Sequence, residues 1–413
     1  MSRIAKFTLL FVVFVDLMNQ GLVFPILNAL IMEPEAGFLA LGTSDSMRHI
    51  YYGIVIGLFF LGWFVGVLYI AKISDSIGRK QALVICLVGA VLGYAIAIFA
   101  IYIDSFWLLV LGRTITGFAA GNQAVAQAAM IDASHNAEER DRNMGLIITG
   151  CSFGLVGGPL IGAFFSDSTF IGDYASLTLP LYVIVVLVLI ALLLTVVFFH
   201  DVRTERERFV FRLSDLFSGI QRVSQFPLVA ALLPVFIFFL ISMQTFFVFT
   251  VNYLTSAFGY GVVGGSVAML VVGIGLGISS SFLVKPCQAW FARKKIVYIG
   301  FAIMGASAIM FSLAGVAVLT FVPLFAYFMC VGIVYPTLLG IFSSSVDEHE
   351  QGWVMGVTTS LIALVSGLMS LVGGILMSID INLPFYISFV AAISALLLVL
   401  ATWARPHLRK IVE

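Results

Sequence analysis

Long apolar runs recur along the whole chain, and they limit the possible folds more than any other feature of the sequence. Each run holds roughly 20 residues, which as an α-helix is long enough to cross a hydrocarbon core of about 30 Å. Only 10% of the 413 residues are charged, compared with about 25% in ordinary soluble domains. The alternating segments of about ten residues that a membrane β-barrel requires are absent. The sequence therefore predicts an all-α integral membrane protein.

Twelve of these runs are predicted to be transmembrane helices, which places both termini on one side of the membrane. The first run continues past 20 apolar-rich residues without a small-residue cleavage site, so we expect a retained helix rather than a signal peptide. The predicted spans are 7–32, 50–72, 81–102, 105–132, 142–165, 178–199, 228–253, 263–284, 296–315, 318–345, 353–378 and 382–403.

Basic residues are distributed very unevenly between the two sets of connections. All of the 21 lysines and arginines except Arg48 and Arg113 lie at the termini or in connections on the same side. Because cytoplasmic loops carry the excess of lysine and arginine, both termini are predicted to be cytoplasmic. The expected location is the cytoplasmic (inner) membrane.

The longest polar connection, 200–227, divides the chain into halves of similar size. We expect a cytoplasmic linker along the membrane surface, which joins an N-terminal six-helix bundle (1–199) to a C-terminal six-helix bundle (228–413).

The two halves also resemble each other in sequence, which predicts pseudo-symmetric bundles. The segments 134–145 and 345–356 share a serine, an acidic cluster and a Met-Gly pair. The pair Arg79-Lys80 is repeated about half a chain later, as Arg293-Lys294. Internal repetition of this kind is typical of secondary transporters.

Asp16 lies about 13 Å from the cytoplasmic end of the first span, near the middle of the membrane. A carboxylate at that depth costs roughly 2.5–3.5 kcal/mol unless it meets a partner or a wet cavity. Since desolvation favours the protonated form, its proton affinity can depend on which side is open. Asp16 is therefore the predicted proton-coupling residue, with Asp132 at a cytoplasmic edge as the second candidate. The alternative is a carboxylate that only holds helices together.

Arg113 is the only cation predicted to lie deep in a span. Its depth differs from that of Asp16 by only about 5 Å, judged from the helical rise and the membrane thickness. Our hypothesis is that Arg113 interacts with Asp16, or with groups of span one beside it, and tunes the proton affinity of the carboxylate. The alternative is a structural arginine that hydrogen-bonds to carbonyl groups of span one.

Uncharged polar residues inside the spans mark a predicted substrate path, because a buried amide in lipid is costly unless it faces a cavity or a partner helix. Such a path, with aromatic residues nearby, suits a neutral or cationic amphipathic organic molecule. Hydrogen bonding between helices is the alternative role. The predicted substrate contacts are Asn19, Gln20, Asn122, Gln123, Gln127, Gln244, Phe247 and Asn252.

Glycine recurs every fourth residue in span five, at Gly150, Gly154, Gly158 and Gly162. A stripe of small residues lets helix backbones approach closely. Pro159 cannot donate a hydrogen bond to the preceding turn, so we expect a bend there. The stripe is predicted to be a compliant joint between the bundles, with tight packing alone as the alternative.

Four motifs in the first half resemble those of the major facilitator superfamily. The stretch "AKISDSIGRK" resembles the loop motif G-x-L-x-D-R-x-G-R-K between spans two and three, except at Ala71 and Ser76. In span four, "LGRTITGFAAG" resembles the R-x-x-x-G motif. In span five, "GCSFGLVGGPLIG" is similar to the antiporter motif G-x-x-x-G-P-x-x-G. In span one, "VDLMNQGLVFPIL" resembles the D-x-x-x-x-G-L-x-x-P pattern of twelve-span drug:proton antiporters, which include tetracycline exporters.

The resemblance implies alternating access between two bundles and proton-driven export. It also implies that the loop 74–80 is a cytoplasmic gate, in which Asp75 contacts Arg79 and the start of span eleven. Asp132 is expected to pair with the same basic group. The alternative is a loop that only fixes topology. The residues predicted to serve gating and conformational change are Asp75, Gly78, Arg79, Lys80, Asp132, Gly154, Gly158, Pro159 and Gly162.

Together these features predict a proton-coupled exporter of a small amphipathic compound, such as a drug or a secreted metabolite like a siderophore. A nutrient importer with proton symport on the same fold is the first alternative, and a non-transporting receptor or scaffold is the second. The sequence has no nucleophile–base pair, metal-ligand spacing or phosphate-binding loop, so neither an enzyme nor a cofactor is expected. The expected partners are the substrate, protons and the lipid bilayer, with no nucleic acid, and the protein is expected to be monomeric.

Overall fold

The computed structural model describes residues 2–134, 136–201, 221–403 and 408, and these residues are almost entirely helical, with no β-strand among them. The predicted linker 200–227 lies largely outside the described residues, so its course along the membrane stays a prediction.

Eight helices occupy the described residues before the linker. Two one-turn 3₁₀ segments, Pro34–Ala36 and Gly172–Tyr174, lie in connections between them. The helices are α1 (Arg3–Met32), α2 (Asp45–Ile77), α3 (Arg79–Tyr102), α4 (Phe106–Ala119), α5 (Asn122–Asp132), α6 (Ala137–Ser166), α7 (Ser168–Ile171) and α8 (Leu179–Phe198).

Seven helices follow in the described residues after the linker. A π-helical turn, Ser279–Leu283, separates the second from the third, and 3₁₀ segments lie at Arg222–Gln225, Ala317–Thr320 and Glu348–Glu350. The helices are α9 (Pro227–Phe258), α10 (Val262–Ile278), α11 (Val284–Trp290), α12 (Arg293–Leu313), α13 (Phe321–Ser344), α14 (Gln351–Ile379) and α15 (Leu383–Thr402).

Eleven stretches of helix within the described residues are long and apolar enough to cross a membrane, and they match every predicted span except the fourth. The all-α membrane fold with twelve spans is confirmed, but the prediction of one continuous helix over 105–132 was wrong. The backbone leaves the helical region at Ala120, where ψ is 39°, and a new helix starts after Gly121. Glycine weakens a helix by about 1 kcal/mol relative to alanine, and at Gly121 a Cβ atom would lie 2.7 Å from the Ile70 side chain.

Contacts between residues divide the chain into two compact units. One comprises Met1–Leu213 with Gly259–Leu270, and the other comprises Ser214–Phe258 with Val271–Glu413. The predicted division into 1–199, 200–227 and 228–413 stays a prediction.

The glycine stripe of α6 lies directly against the backbone of α1. A Cβ atom on Gly154 would lie 2.9 Å from the amide nitrogen of Met18, and one on Gly158 would lie 3.0 Å from that of Leu22. Gly21 of α1 completes the contact, because a Cβ atom there would lie 2.7 Å from the Pro159 ring. The close backbone approach is therefore present, and α6 continues through Pro159. The surface that the stripe contacts belongs to the same unit, whereas a joint between the bundles was expected.

The core of the second unit contains three hydroxyl groups that satisfy one another. Ser242 of α9 lies 2.7 Å from the hydroxyl of Tyr327 on α13 and 3.0 Å from the hydroxyl of Ser388 on α15. All three side chains are fully buried, and Phe246 stacks on Tyr327 at 4.1 Å. Because buried hydroxyl groups are costly without partners, this triad fixes how the three helices meet.

The first turn of α3 is capped by a residue from beyond the end of α8. The Oδ1 atom of Asp201 accepts a hydrogen bond from the backbone N–H of Lys80 at 2.8 Å. When the Gln81 amide is oriented so that its nitrogen faces hydrogen-bond acceptors, it donates to Oδ2 of Asp201 at 2.9 Å. Gly78 precedes this turn with φ of 108°, a region that favours glycine, and a Cβ atom there would collide with the Asp201 carboxylate. Asp201 thereby ties the end of span six to the loop 74–80.

We expect Gly158→Ala to destabilise the protein by about 1–3 kcal/mol, because the added methyl group overlaps the α1 backbone. The measurement is thermal unfolding in detergent. Gly157→Ala is the matched control, since a Cβ atom there meets only the Phe14 ring, at 3.6 Å. Both variants gain the same helix propensity, so equal melting temperatures would contradict the close contact between α6 and α1.

We expect Asp201→Ala to speed hydrogen–deuterium exchange in the first turn of α3 about fivefold, because loss of a capping acceptor costs about 1 kcal/mol. Exchange is followed by mass spectrometry on peptides that contain Lys80 and Gln81. Asp380→Ala is the control, because Asp380 caps a different helix by accepting from the backbone N–H of Asn382 at 2.7 Å. Unchanged exchange at α3 would show that Asp201 does not hold this turn.

Candidate functional site

One face of α1 lines a small cavity inside the first unit. Val12, Val15, Asp16 and Asn19 all lie on its wall, and their spacing of three and four residues places them on the same helix face. The neighbouring faces of α1 carry the contacts with α6. Asp16 is therefore turned towards the interior formed with α3, α4, α5 and α8, and its side chain remains partly exposed.

The cavity has a volume of about 20 Å³ and a mixed lining. Apart from Asp16 and Asn19, its polar residues are Tyr94 of α3, Thr116 of α4 and Asn122 of α5. The Asn122 side chain lies beside the Asp16 carboxylate, where its amide can donate a hydrogen bond. Because Asn122 is the first residue of α5, the break in span four brings this amide to the carboxylate.

Arg113 is buried in the same unit, but its contacts are with α2 and α3. Its guanidinium carbon lies 4.3 Å from the centre of the Phe59 ring, a cation–π contact, and the group also lies beside the Tyr94 hydroxyl. Among the described residues no ion pair joins Arg113 to Asp16. The predicted interaction of Arg113 with Asp16, or with groups of span one beside it, stays a prediction.

The predicted substrate contacts divide between the two units. Asn19 and Asn122 are buried beside Asp16, while Gln20, Gln123 and Gln127 are half-buried. On α9, Gln244 and Asn252 are buried and Phe247 is half-buried. Both polar atoms of the Asn252 side chain lack a hydrogen-bond partner among the described residues. The role of these residues as substrate contacts stays a prediction.

The loop 74–80 forms a dense ionic network rather than a simple polar turn. Arg79 pairs with Asp75 at 2.8 Å and with Asp132 at 2.9 Å, and it also donates to the Ser74 hydroxyl at 2.8 Å. The Lys80 ammonium donates to the Val196 carbonyl of α8 at 2.7 Å. The structure thus brings together Asp75, Arg79 and Asp132, and it joins the ends of α2, α3 and α5. The proposed contact of Asp75 with span eleven stays a prediction.

A second ionic contact, which the sequence did not single out, joins α1 to α6. The Lys6 ammonium lies 2.8 Å from a carboxylate oxygen of Glu139 and 3.2 Å from the amide oxygen of Asn143. Asn143 is fully buried and donates to the Ser134 hydroxyl at 2.8 Å. Only the basic character of Lys6 and the repeated acidic segment could have suggested this contact.

Two further residues beside Arg113, and a third at the far end of α1, were not predicted. Tyr94 and Phe59 contact the Arg113 guanidinium. The sequence offers no signal that distinguishes these two residues from other aromatic residues in the spans. At the end of α1, burial raises the pKa of the Glu33 carboxyl above its usual range, and the charge of Glu35 raises it further. Glu33 is therefore a second carboxyl whose protonation depends on its surroundings.

The amino-acid sequence matches the model of the Major Facilitator Superfamily over residues 9–370. The class B tetracycline resistance protein of Escherichia coli is 25% identical over 366 residues, which cover 85% of this chain and 83% of that protein. The class C tetracycline resistance protein of Escherichia coli is 27% identical over 366 residues, which cover 88% of this chain and 87% of that protein. The quinolone resistance protein NorA of Staphylococcus aureus is 22% identical over 407 residues, which cover 95% of each chain.

Solved structures share the fold at lower sequence identity. A D-xylose-proton symporter aligns with a TM-score of 0.75 and 13% identity, covering 97% of this chain and 98% of that chain. The human organic anion transporter MFSD10 aligns with a TM-score of 0.70 and 16% identity, covering 96% of this chain and 99% of that chain. Since the family model spans most of the sequence and the fold extends over nearly the whole chain, this protein belongs to the Major Facilitator Superfamily, a family of multi-pass membrane transporters.

Proposed function

We propose that the protein is a proton-coupled secondary transporter that exports a small amphipathic organic compound by alternating access. The observation that carries this proposal is Asp16, a partly exposed carboxylate in the middle of a membrane-spanning helix, with the Asn122 amide beside it. A carboxyl group in this position can be neutral or charged, and the difference in solvation between two open states supplies a driving force for proton uptake and release.

In this mechanism Asp16 takes up a proton from the outer side and gives it up on the cytoplasmic side. The protonated acid is neutral and tolerates a closed, dry surrounding, whereas the anion requires water or hydrogen-bond donors. The Asn122 amide is such a donor and stabilises the anion. A neutral or cationic substrate that approaches the carboxylate favours the anionic form, so that substrate binding and proton release are linked.

The ionic network around Arg79 is proposed to stabilise the state that is open to the outside. Its partly buried ion pairs hold the ends of α2, α3 and α5 together, and they must be broken or rearranged when the cytoplasmic side opens. Both termini are proposed to lie in the cytoplasm, with the transporter acting as a monomer in the inner membrane.

The proposed substrate class follows from the polar groups available in the spans and from the relatives. Amides and aromatic side chains dominate the predicted path, and the cation Arg113 is already engaged by Phe59. This combination disfavours a multiply anionic substrate. Relatives named for tetracycline and quinolone resistance support an exported drug-like compound, and a secreted metabolite such as a siderophore has similar chemistry.

A nutrient importer with proton symport is the second candidate, because a D-xylose-proton symporter shares the fold. At 13% identity this likeness concerns the fold alone. The two candidates differ in the direction of net transport. Cells that express an exporter accumulate less of the substrate than control cells do, whereas cells that express an importer accumulate more.

We expect wild-type protein in lightly buffered detergent to release protons when its substrate is added, and Asp16→Asn to bind the substrate without release. The physical reason is that the amide cannot ionise. The probes are tetracycline, a fluoroquinolone and a lipophilic cation, with proton release followed by a pH indicator and binding followed by tryptophan fluorescence.

The matched control is Asp173→Asn, which changes an exposed aspartate in the 3₁₀ segment Gly172–Tyr174. This variant should release protons as the wild type does. If Asp16→Asn binds a probe and still releases protons, another group carries the proton and the proposed role of Asp16 is wrong.

A further inference from the structure

We infer that Tyr94 is a positioning residue for Asp16, and that it acts through one water molecule bound in the cavity between them. The inference deepens the proposed function and rests on proton coupling at Asp16. Tyr94 belongs neither to the loop motif nor to the predicted substrate path. In this arrangement the charge of Arg113 can affect the protonation of Asp16 without an ion pair between them.

The size of the cavity suits a single water molecule. Its volume of about 20 Å³ exceeds the roughly 10–15 Å³ that one water requires when measured with a probe of water size. A buried water is stable only where two to four polar groups can bind it. The wall provides the Asp16 carboxylate, the Tyr94 hydroxyl and the amides of Asn19 and Asn122.

Several of these polar groups are buried without a partner in the described part of the chain. They are the Tyr94 hydroxyl, the amide oxygen of Asn19 and the amide oxygen of Asn122. Each of the three side chains is no more than 6% exposed. Buried polar atoms in native proteins are almost always paired with protein or with ordered water. A water here can accept from the Tyr94 hydroxyl and donate to the Asp16 carboxylate and to one amide oxygen.

Arg113 lies beside Tyr94 but does not line the cavity. Its guanidinium lies beside the tyrosine hydroxyl, and its Nε and Nη1 atoms have no hydrogen-bond partner among the described residues. A cation beside the phenolic oxygen makes that hydroxyl a stronger donor, and it directs the proton away from Arg113 and towards the water. The charge of Arg113 thus reaches Asp16 through two hydrogen bonds and stabilises the carboxylate anion.

Few other titratable groups face this part of the bundle. Among the described residues of the helices around α1, those near Asp16 are Tyr94 and Cys86 of α3 and Cys151 of α6, and Arg113 of α4 lies beside Tyr94. The Cys151 sulfur accepts a hydrogen bond from the Gln123 amide at 3.5 Å. Neither thiol is positioned to replace the Tyr94 hydroxyl on the cavity wall, since neither lines the cavity.

The test is Tyr94→Phe, which removes one oxygen and keeps the ring. We expect substrate-induced proton release to persist to higher pH, with the half-maximal point moved up by about one pH unit. This corresponds to roughly tenfold tighter proton binding, the scale of one hydrogen bond to a charged group. Tyr327→Phe is the matched control, because it removes an equally buried hydroxyl from the triad in the second unit. Its half-maximal point should stay at the wild-type value.

Infrared difference spectroscopy provides a second readout that needs no substrate. Titration of purified protein should show a carboxylic acid C=O band that is lost in Asp16→Asn. In the wild type, exchange into H₂¹⁸O should shift an O–H band that titrates together with it. Tyr94→Phe should move the C=O band to higher frequency and should remove the water band.

The two readouts separate failure of the inference from failure of the proposed function. If wild type and Asp16→Asn release protons alike, the proposed coupling fails, while the infrared bands still report the Tyr94 contact. If Asp16 carries the proton but Tyr94→Phe leaves both the pH profile and the bands unchanged, Tyr94 only fills space and the inference is wrong.

Discussion

The rotation of α1 about its own axis decides where the Asp16 carboxylate points, and that rotation is set by contact with α6. Gly154 and Gly158 leave no room for a Cβ atom against the α1 backbone, and the Pro159 ring packs against Gly21 in return. Backbones at van der Waals distance interlock through their ridges, so neither helix can turn without a collision. With one side of α1 fixed in this way, the face with Val12, Val15 and Asp16 is held towards the interior.

Polar groups in the described spans form two kinds of cluster, one with its hydrogen-bonding groups paired and one with several of them unpaired. At the ends of α2, α3 and α5, Arg79 has two carboxylate partners and a hydroxyl, and this saturated network is suited to holding helices together. Around Asp16 the amides and Tyr94 retain unpaired atoms in a small cavity. A saturated network resists change because every broken contact leaves a buried charge, whereas an incompletely paired cluster can accept water, a proton or a ligand at lower cost.

The apolar runs were sufficient to predict the twelve spans, because the thickness of the membrane fixes the length of a spanning helix. Depth could also be read from the sequence, which is why Asp16 and Arg113 were expected to meet. The direction of a side chain around the helix axis could not be read in this way, because it depends on which neighbours pack on each face. Arg113 lies against Phe59, and its interaction with Asp16 stays a prediction. The capping of α3 by Asp201 was missed for a related reason, because no local pattern connects residues more than a hundred positions apart.

The break in span four gives α5 a position that a continuous helix would not have. The helix has 11 residues, Asn122–Asp132, and a length of about 16 Å at 1.5 Å per residue. Its first residue lies beside the Asp16 carboxylate, and its last residue pairs with Arg79. About three turns of helix therefore connect the two contacts. The turn at Ala120–Gly121 separates α5 from α4, and Arg113 of α4 lies against the Phe59 ring. The group proposed to carry the proton and the ionic network around Arg79 thus lie at the two ends of one short helix.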